Sequence, residues 1–156
     1  MKRPTVYRWQ DVDGRGPYKP GLSDFWAEPS HYDRNPAIFY EFPKWIASYR
    51  DPALTYGCAF RTVAQMHAWF TPAEIERMLD MGYQFGRMEV DRIECESERQ
   101  LVFARRRPLK FGLEVIELPR FKPAAAIHKT PEGPRLVVIQ AADLYPSPAP
   151  AGQPTP

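Results

Sequence analysis

Two helix-start signatures stand close together near the middle of the chain and limit what the rest of it can form. Thr62-Val63-Ala64-Gln65 and Thr71-Pro72-Ala73-Glu74 both have the form of a capping box, in which the threonine oxygen and the later Gln or Glu side chain satisfy amides that a helix start leaves without partners. Pro72 falls at the first helical position, where its fixed φ suits the helix. The first helix must therefore stop at Phe70-Thr71, where the second begins. Val63, Met66 and Phe70 share one face of the first helix, and Ile75, Met78 and Leu79 complete the face of the second. Phe70 and Ile75 sit where a hydrophobic staple forms, and Gly82 is placed to end the second helix in a left-handed conformation.

Helices this short need another layer to cover, and the flanking sequence supplies strands. Thr5-Val6-Tyr7-Arg8-Trp9, Tyr56-Gly57-Cys58-Ala59-Phe60 and Gln100-Leu101-Val102-Phe103-Ala104 are rich in β-branched and aromatic residues that fit a pleated surface. Residues 83–93 read as one long strand in which Tyr83 and Phe85 take one parity and Met88 and Val90 the other, so a bulge is expected near Gly86. A polar turn, Glu94-Cys95-Glu96-Ser97-Glu98, precedes the returning strand, and residues 113–118 and 136–139 are further strand candidates. Ala37-Ile38-Phe39-Tyr40-Glu41-Phe42 fits a strand or a short buried helix. Residues 14–36, with glycines and prolines throughout, read as a long loop pinned by Phe25 and Trp26. The expectation is an α+β domain over residues 1–145, with a mixed, mainly antiparallel, split sheet and a few short helices. The proline-rich string 146–156 is expected to be a disordered tail.

Composition fits that picture. A chain of 156 residues has the length of one domain, and 44% hydrophobic with 26% charged residues is globular composition. No apolar run is long enough to cross a bilayer, and Met1-Lys2-Arg3-Pro4 does not lead into a signal-peptide core, so a soluble cytoplasmic protein without a membrane partner is expected. Cys58 and Cys95 lack metal or redox spacing, and His31, His67 and His128 are scattered, so no metal is expected. The net charge of +2 does not by itself imply nucleic acid, and the run Arg105-Arg106-Arg107 with Lys110 reads first as solvated surface, with phosphate or nucleic-acid contact the less favoured alternative.

Gly14-Arg15-Gly16 is followed by proline and not by a helix, which excludes a dinucleotide fingerprint and a P-loop. No serine stands in a nucleophile elbow. One ordered set remains: Tyr7-Arg8 on the first strand, Tyr56-Gly57-Cys58 before the helix pair, and Glu98-Arg99-Gln100-Leu101-Val102-Phe103 at the late strand. This order resembles the ADP-ribosyltransferase-like fold over Val6 to Phe103. The resemblance implies that Arg8 orients NAD and that Tyr56 or Cys58 supports the nicotinamide ribose. It puts Gln100 at the position of the catalytic glutamate, immediately before the apolar triplet. Glu98 lies two residues earlier on the same strand face, and a register moved back by two would make Glu96 and Glu98 the family's paired glutamates. A carboxylate stabilises the oxocarbenium-like state of transfer from NAD, whereas a neutral amide does not.

The resemblance thus implies a nucleotide ligand, NAD as substrate and a macromolecular acceptor for ADP-ribose. The competing expectation is a non-enzymatic interaction module or inhibitor of the kind mobile elements encode, with Tyr7, Trp9, Tyr18, Phe25 and Trp26 as a partner-binding surface.

Overall fold

The computed structural model describes residues 2–18 and 21–120 in full and the backbone of 125–130 and 133–138. The chain divides into two compact units, Met1–Pro119 and Arg120–Pro156. In the first unit the strands are β1 (Thr5–Gln10), β2 (Thr55–Ala59), β3 (Gln84–Glu89), β4 (Arg92–Glu96), β5 (Leu101–Arg105) and β6 (Glu114–Val115). Single-turn helices α1 (Ser23–Trp26), α2 (His31–Arg34), α3 (Ile38–Glu41) and α4 (Pro43–Ile46) lie between β1 and β2, and α5 (Val63–Trp69) and α6 (Pro72–Asp80) follow β2. The second unit contains an antiparallel hairpin of β7 (Ala125–Thr130) and β8 (Gly133–Val138), in which Thr130 pairs with Gly133. The tail 146–156 and the boundary at 145 lie outside the described residues.

The fold is α+β with a split sheet. β1, β3 and β6 form one antiparallel sheet in the order β1-β3-β6, and β2, β5 and β4 form another in the order β2-β5-β4. All of these pairings are antiparallel, so the mixed character expected from the sequence is not found among the described strands. β1 and β2 meet through one bridge, where Tyr7 and Phe60 exchange backbone hydrogen bonds of 2.9 and 2.7 Å.

The segment 83–93 differs from the single bulged strand read from the sequence. β3 belongs to one sheet and β4 to the other, with the chain crossing between them at Val90-Asp91. Gly86 sits in regular register opposite Arg8, and the irregularity falls between Ile93 and Cys95. The change of parity has a packing cause. Phe85 enters the core of Trp9, Trp26, Phe60, Met66, Phe70, Ile75 and Met78, while Met88 and Val90 enter a second core with Val6, Leu101 and Phe103. β3 therefore sends one side chain into each core from opposite faces. Gly86 is required by β6, since a Cβ there would stand 2.4 Å from the Glu114 carbonyl oxygen.

The helix pair forms as its sequence dictates. Thr71 Oγ accepts from the Glu74 amide at 3.2 Å and Glu74 Oε2 accepts from the Thr71 amide at 2.9 Å, which completes the box. At the first helix Thr62 Oγ accepts from the Gln65 amide at 3.1 Å, but the Gln65 side chain reaches one residue further back to the Arg61 amide at 2.7 Å. Gly82 follows α6 with φ of 85°. Thr71→Ala is expected to lower stability by about 0.5–2 kcal/mol in urea unfolding, and an unchanged midpoint would mean that the cap contributes nothing.

Residues 14–36 contain α1 and α2, and only one of their expected anchors holds. Trp26 is fully buried and donates its indole N–H to the Pro17 carbonyl at 3.0 Å, whereas Phe25 is 70% exposed.

Candidate active site

A cleft of about 370 Å³ opens beside the β1–β2 junction, within the size range of ligand pockets. Its walls come from Arg8 and Trp9 on β1, the turn 14–18, β2, Trp69 and Phe70 after the helix turn, Gln100 and Leu109.

Arg8 is 3% exposed, yet only one of its nitrogens has a hydrogen-bond acceptor: Nη2 donates to the Gly14 carbonyl at 3.1 Å. Nε and Nη1 are buried with no acceptor among the described residues. The guanidinium lies 5.4 Å from the centroid of the Phe103 ring. Burial pulls its pKa well below the ordinary arginine value, to about 10, with Cys58 and Asp11 opposing and Arg105 reinforcing the fall, so it remains charged at neutral pH. The neighbouring backbone is shaped to admit it. Asp11 accepts from the Asp13 and Arg15 amides through its side chain at 3.0 and 2.9 Å, curling residues 11–15 so that the Gly14 carbonyl meets Arg8. At Gly57 a Cβ would stand 2.8 Å from the Phe103 ring and 2.9 Å from Arg8 Nη1.

Tyr56 and Cys58 share one face of β2, as residues two apart on a strand do, and both line the cleft. The Tyr56 hydroxyl accepts from the Asp51 amide at 2.8 Å. Cys58 lines the cleft and is exposed. Cys58 and Cys95 are free thiols lying on either side of Val102 in adjacent strands. Two strand spacings place their Cα atoms about 10 Å apart, beyond the reach of a disulfide.

Gln100 also lines the cleft and is 6% exposed. Its backbone is fixed by a tight turn, with its amide donating to Ser97 Oγ at 3.2 Å and its carbonyl accepting from the Ser97 amide at 2.9 Å. Its side-chain nitrogen donates to Glu41 Oε2 at 2.5 Å, and the Ser97 hydroxyl donates to Glu41 Oε1. Glu98 is exposed and lies apart from Arg8, in a groove with Arg34, Gln65 and Arg99. Glu96 is held in an ion pair by Arg61, whose Nε donates to it at 2.8 Å. The structure thus brings Arg8, Tyr56, Cys58 and Gln100 to one cleft, and leaves Glu98 and Glu96 outside it.

Two features of this site were not read from the sequence. Glu41 is one. The other is a buried chain of hydrogen bonds beside the cleft: the Trp69 indole N–H donates to the Tyr18 hydroxyl at 2.6 Å, that hydroxyl meets His31 Nε2 at 2.7 Å, and His31 Nδ1 meets Glu74 Oε1 at 2.9 Å. A carboxylate only accepts, so Nδ1 carries the proton, and Tyr18, already accepting from Trp69, donates to Nε2. Burial raises the Tyr18 hydroxyl pKa well above the ordinary value, which keeps it a neutral donor. Burial also pushes Glu74 upward, but bonds from His31 and from the Glu28 and Thr71 amides outweigh it and hold the carboxyl below the usual range. The sequence signal present was Glu74 in the capping box; that it also binds His31 depends on the path of residues 14–36.

The basic run is divided. Arg105 turns inward and donates to the Phe111 carbonyl at 2.7 Å, Arg106 is exposed, and Arg107 stands over the Phe111 ring at 6.0 Å. Trp9 and Trp26 are core residues, so the aromatic surface expected from Tyr7, Trp9, Tyr18, Phe25 and Trp26 does not form as one patch. Among the described residues no helix is long and apolar enough to cross a membrane, and no cluster of three His, Cys, Asp or Glu residues is placed to hold a metal.

An α+β chain with a split sheet and a cleft built around a buried arginine is the class these observations define. The family model of the bacteriophage T4 Y00F protein matches residues 1–113, and the chain belongs to that family. The matched segment contains every residue that lines the cleft. No curated protein and no solved structure matches the chain.

Proposed function

We propose that the cleft binds NAD and that the protein is ADP-ribosyltransferase-like, passing ADP-ribose to a macromolecular acceptor. The observation that carries this reading is Arg8, a buried cation with two unpartnered N–H-bearing nitrogens in a cleft wall. Leaving such donors unmade is costly unless a ligand supplies acceptors, and the oxygens of a pyrophosphate or ribose do so with charge-assisted bonds. In the transfer itself the bond between nicotinamide and ribose C1 breaks with its electron pair leaving on nicotinamide. The acceptor nucleophile then forms the new bond to C1 and releases its proton. Trp9 and Trp69 line the cleft, so intrinsic fluorescence reports on its occupancy. NAD added up to millimolar concentration is expected to change that emission saturably; no change there and no heat in calorimetry would end the nucleotide reading.

A second reading, an interaction module without catalysis, is favoured by the exposed aromatics Phe25, Tyr32, Phe39, Tyr40 and Tyr49 in the segment between β1 and β2. It inherits the claim if NAD does not bind.

A further inference from the structure

None of the four residues of α3 is fully buried, and the turn is anchored by half-buried Ile38 and by Phe42, the buried residue that caps it. Its last residue, Glu41, reaches 59 positions along the chain to hold the one neutral side chain that stands where the resemblance implies a catalytic carboxylate. Both oxygens of Glu41 are used, one by the Gln100 side-chain nitrogen and one by the Ser97 hydroxyl. Since a carboxylate accepts only, the Gln100 amide has one allowed orientation, nitrogen toward Glu41, which keeps its oxygen out of that bond in a residue that lines the cleft. An amide whose N–H bonds to an anion carries more negative charge on its oxygen, because hydrogen bonds in a chain polarise one another.

We propose that Glu41 is a positioning residue that acts through Gln100, turning a neutral amide into a fixed and polarised acceptor for a ribose hydroxyl of the bound nucleotide. The negative charge that a glutamate would bring to the strand is held one hydrogen bond further back and relayed through the amide. This rests on the NAD reading above. It has a consequence that a simple reversion would miss: Gln100→Glu alone would set two carboxylates within hydrogen-bond distance, and such a pair holds a shared proton instead of presenting a free anion.

The test compares NAD affinity and melting temperature in wild type, Glu41→Gln, Gln100→Glu and the exchanged double variant Glu41→Gln/Gln100→Glu. Glu41→Gln and Gln100→Glu are each expected to weaken NAD binding about tenfold, the effect of losing one good hydrogen bond. The double variant restores the bond with its polarity reversed and is expected to recover affinity to within about threefold of wild type. A residue that merely tethers α3 would change the melting temperature and leave affinity alone. If wild type binds NAD and Glu41→Gln binds it equally well, the proposal is overturned and the NAD reading stands. If the double variant binds no better than the single ones, the coupling of positions 41 and 100 on which the proposal depends is overturned. If wild type itself does not bind, the NAD reading falls and takes the proposal with it.

Discussion

Glu74→Ala is expected to destabilise the protein by about 3–5 kcal/mol, since each of the donors it satisfies costs about 1–3 kcal/mol when left buried without an acceptor. Glu74 is fully buried and accepts from the Glu28 amide and His31 Nδ1, both at 2.9 Å, from Arg34 at 3.2 Å and from the Thr71 amide at 2.9 Å. Alanine leaves the amides and His31 without an acceptor and removes half of the α6 capping box. Thr71→Ala removes only the other half, which is why its expected loss is smaller. The carboxyl is held below its usual range in the folded protein, so the stability it confers is present above the ordinary glutamate value, near 4.3, and is lost as pH falls through the folded value. Urea unfolding at neutral pH and in mild acid checks both statements. The difference between wild type and Glu74→Ala should be large at pH 7 and shrink in acid, and a difference of a few tenths of a kcal/mol at pH 7 would show the network to be energetically idle.

The same residue shows where sequence reading stopped. Thr71-Pro72-Ala73-Glu74 was legible because a capping box is local: its partners lie three positions apart and its geometry follows from helix termini alone. The bond from Glu74 to His31 spans 43 positions and follows from the path of the chain between β1 and α2, which no periodicity encodes. β3 fails for a related reason. Its alternation was read as a defect in one strand because a single core was assumed, whereas Phe85 and Met88 serve two cores on opposite faces. At the cleft, Arg8 and Gln100 could be singled out from chain order and local pattern, whereas Tyr56 and Cys58 line it together with Gly57, Ala59 and Phe60, so strand parity does not choose among them. Glu98 shares strand parity with Gln100, but the turn closed by Ser97 turns it out to solvent. Glu41 could not be found, because an acidic residue ending an ambiguous apolar run gives no sign of the strand it will meet.

Arg8→Met is expected to remove nucleotide binding with no loss of stability, and that combination is what separates a ligand-binding arginine from a structural one. In the folded protein burial lowers the Arg8 pKa from the ordinary arginine value to about 10, so at pH 7, below both values, its charge costs roughly 3 kcal/mol. That penalty is relieved only as pH rises above about 10 toward the ordinary arginine value, where the unfolded chain still holds a proton that the folded chain has released. Methionine fills similar length without charge and ends the penalty. The offsetting losses are the bond to the Gly14 carbonyl and the stacking on Phe103, about 1 kcal/mol each. These losses are of the same order as the relief, so the Tm of Arg8→Met should be no lower than that of wild type. NAD affinity should fall by ten- to a hundredfold, since a hydrogen bond to a charged group contributes about 1.5–3 kcal/mol. Thermal unfolding of both proteins, with and without NAD, decides the matter: the ligand should raise the Tm of wild type and leave that of Arg8→Met unmoved. A variant that melts several degrees below wild type would mean that Arg8 holds the sheets together, and its unpartnered nitrogens would then be a by-product of packing and no mark of a ligand.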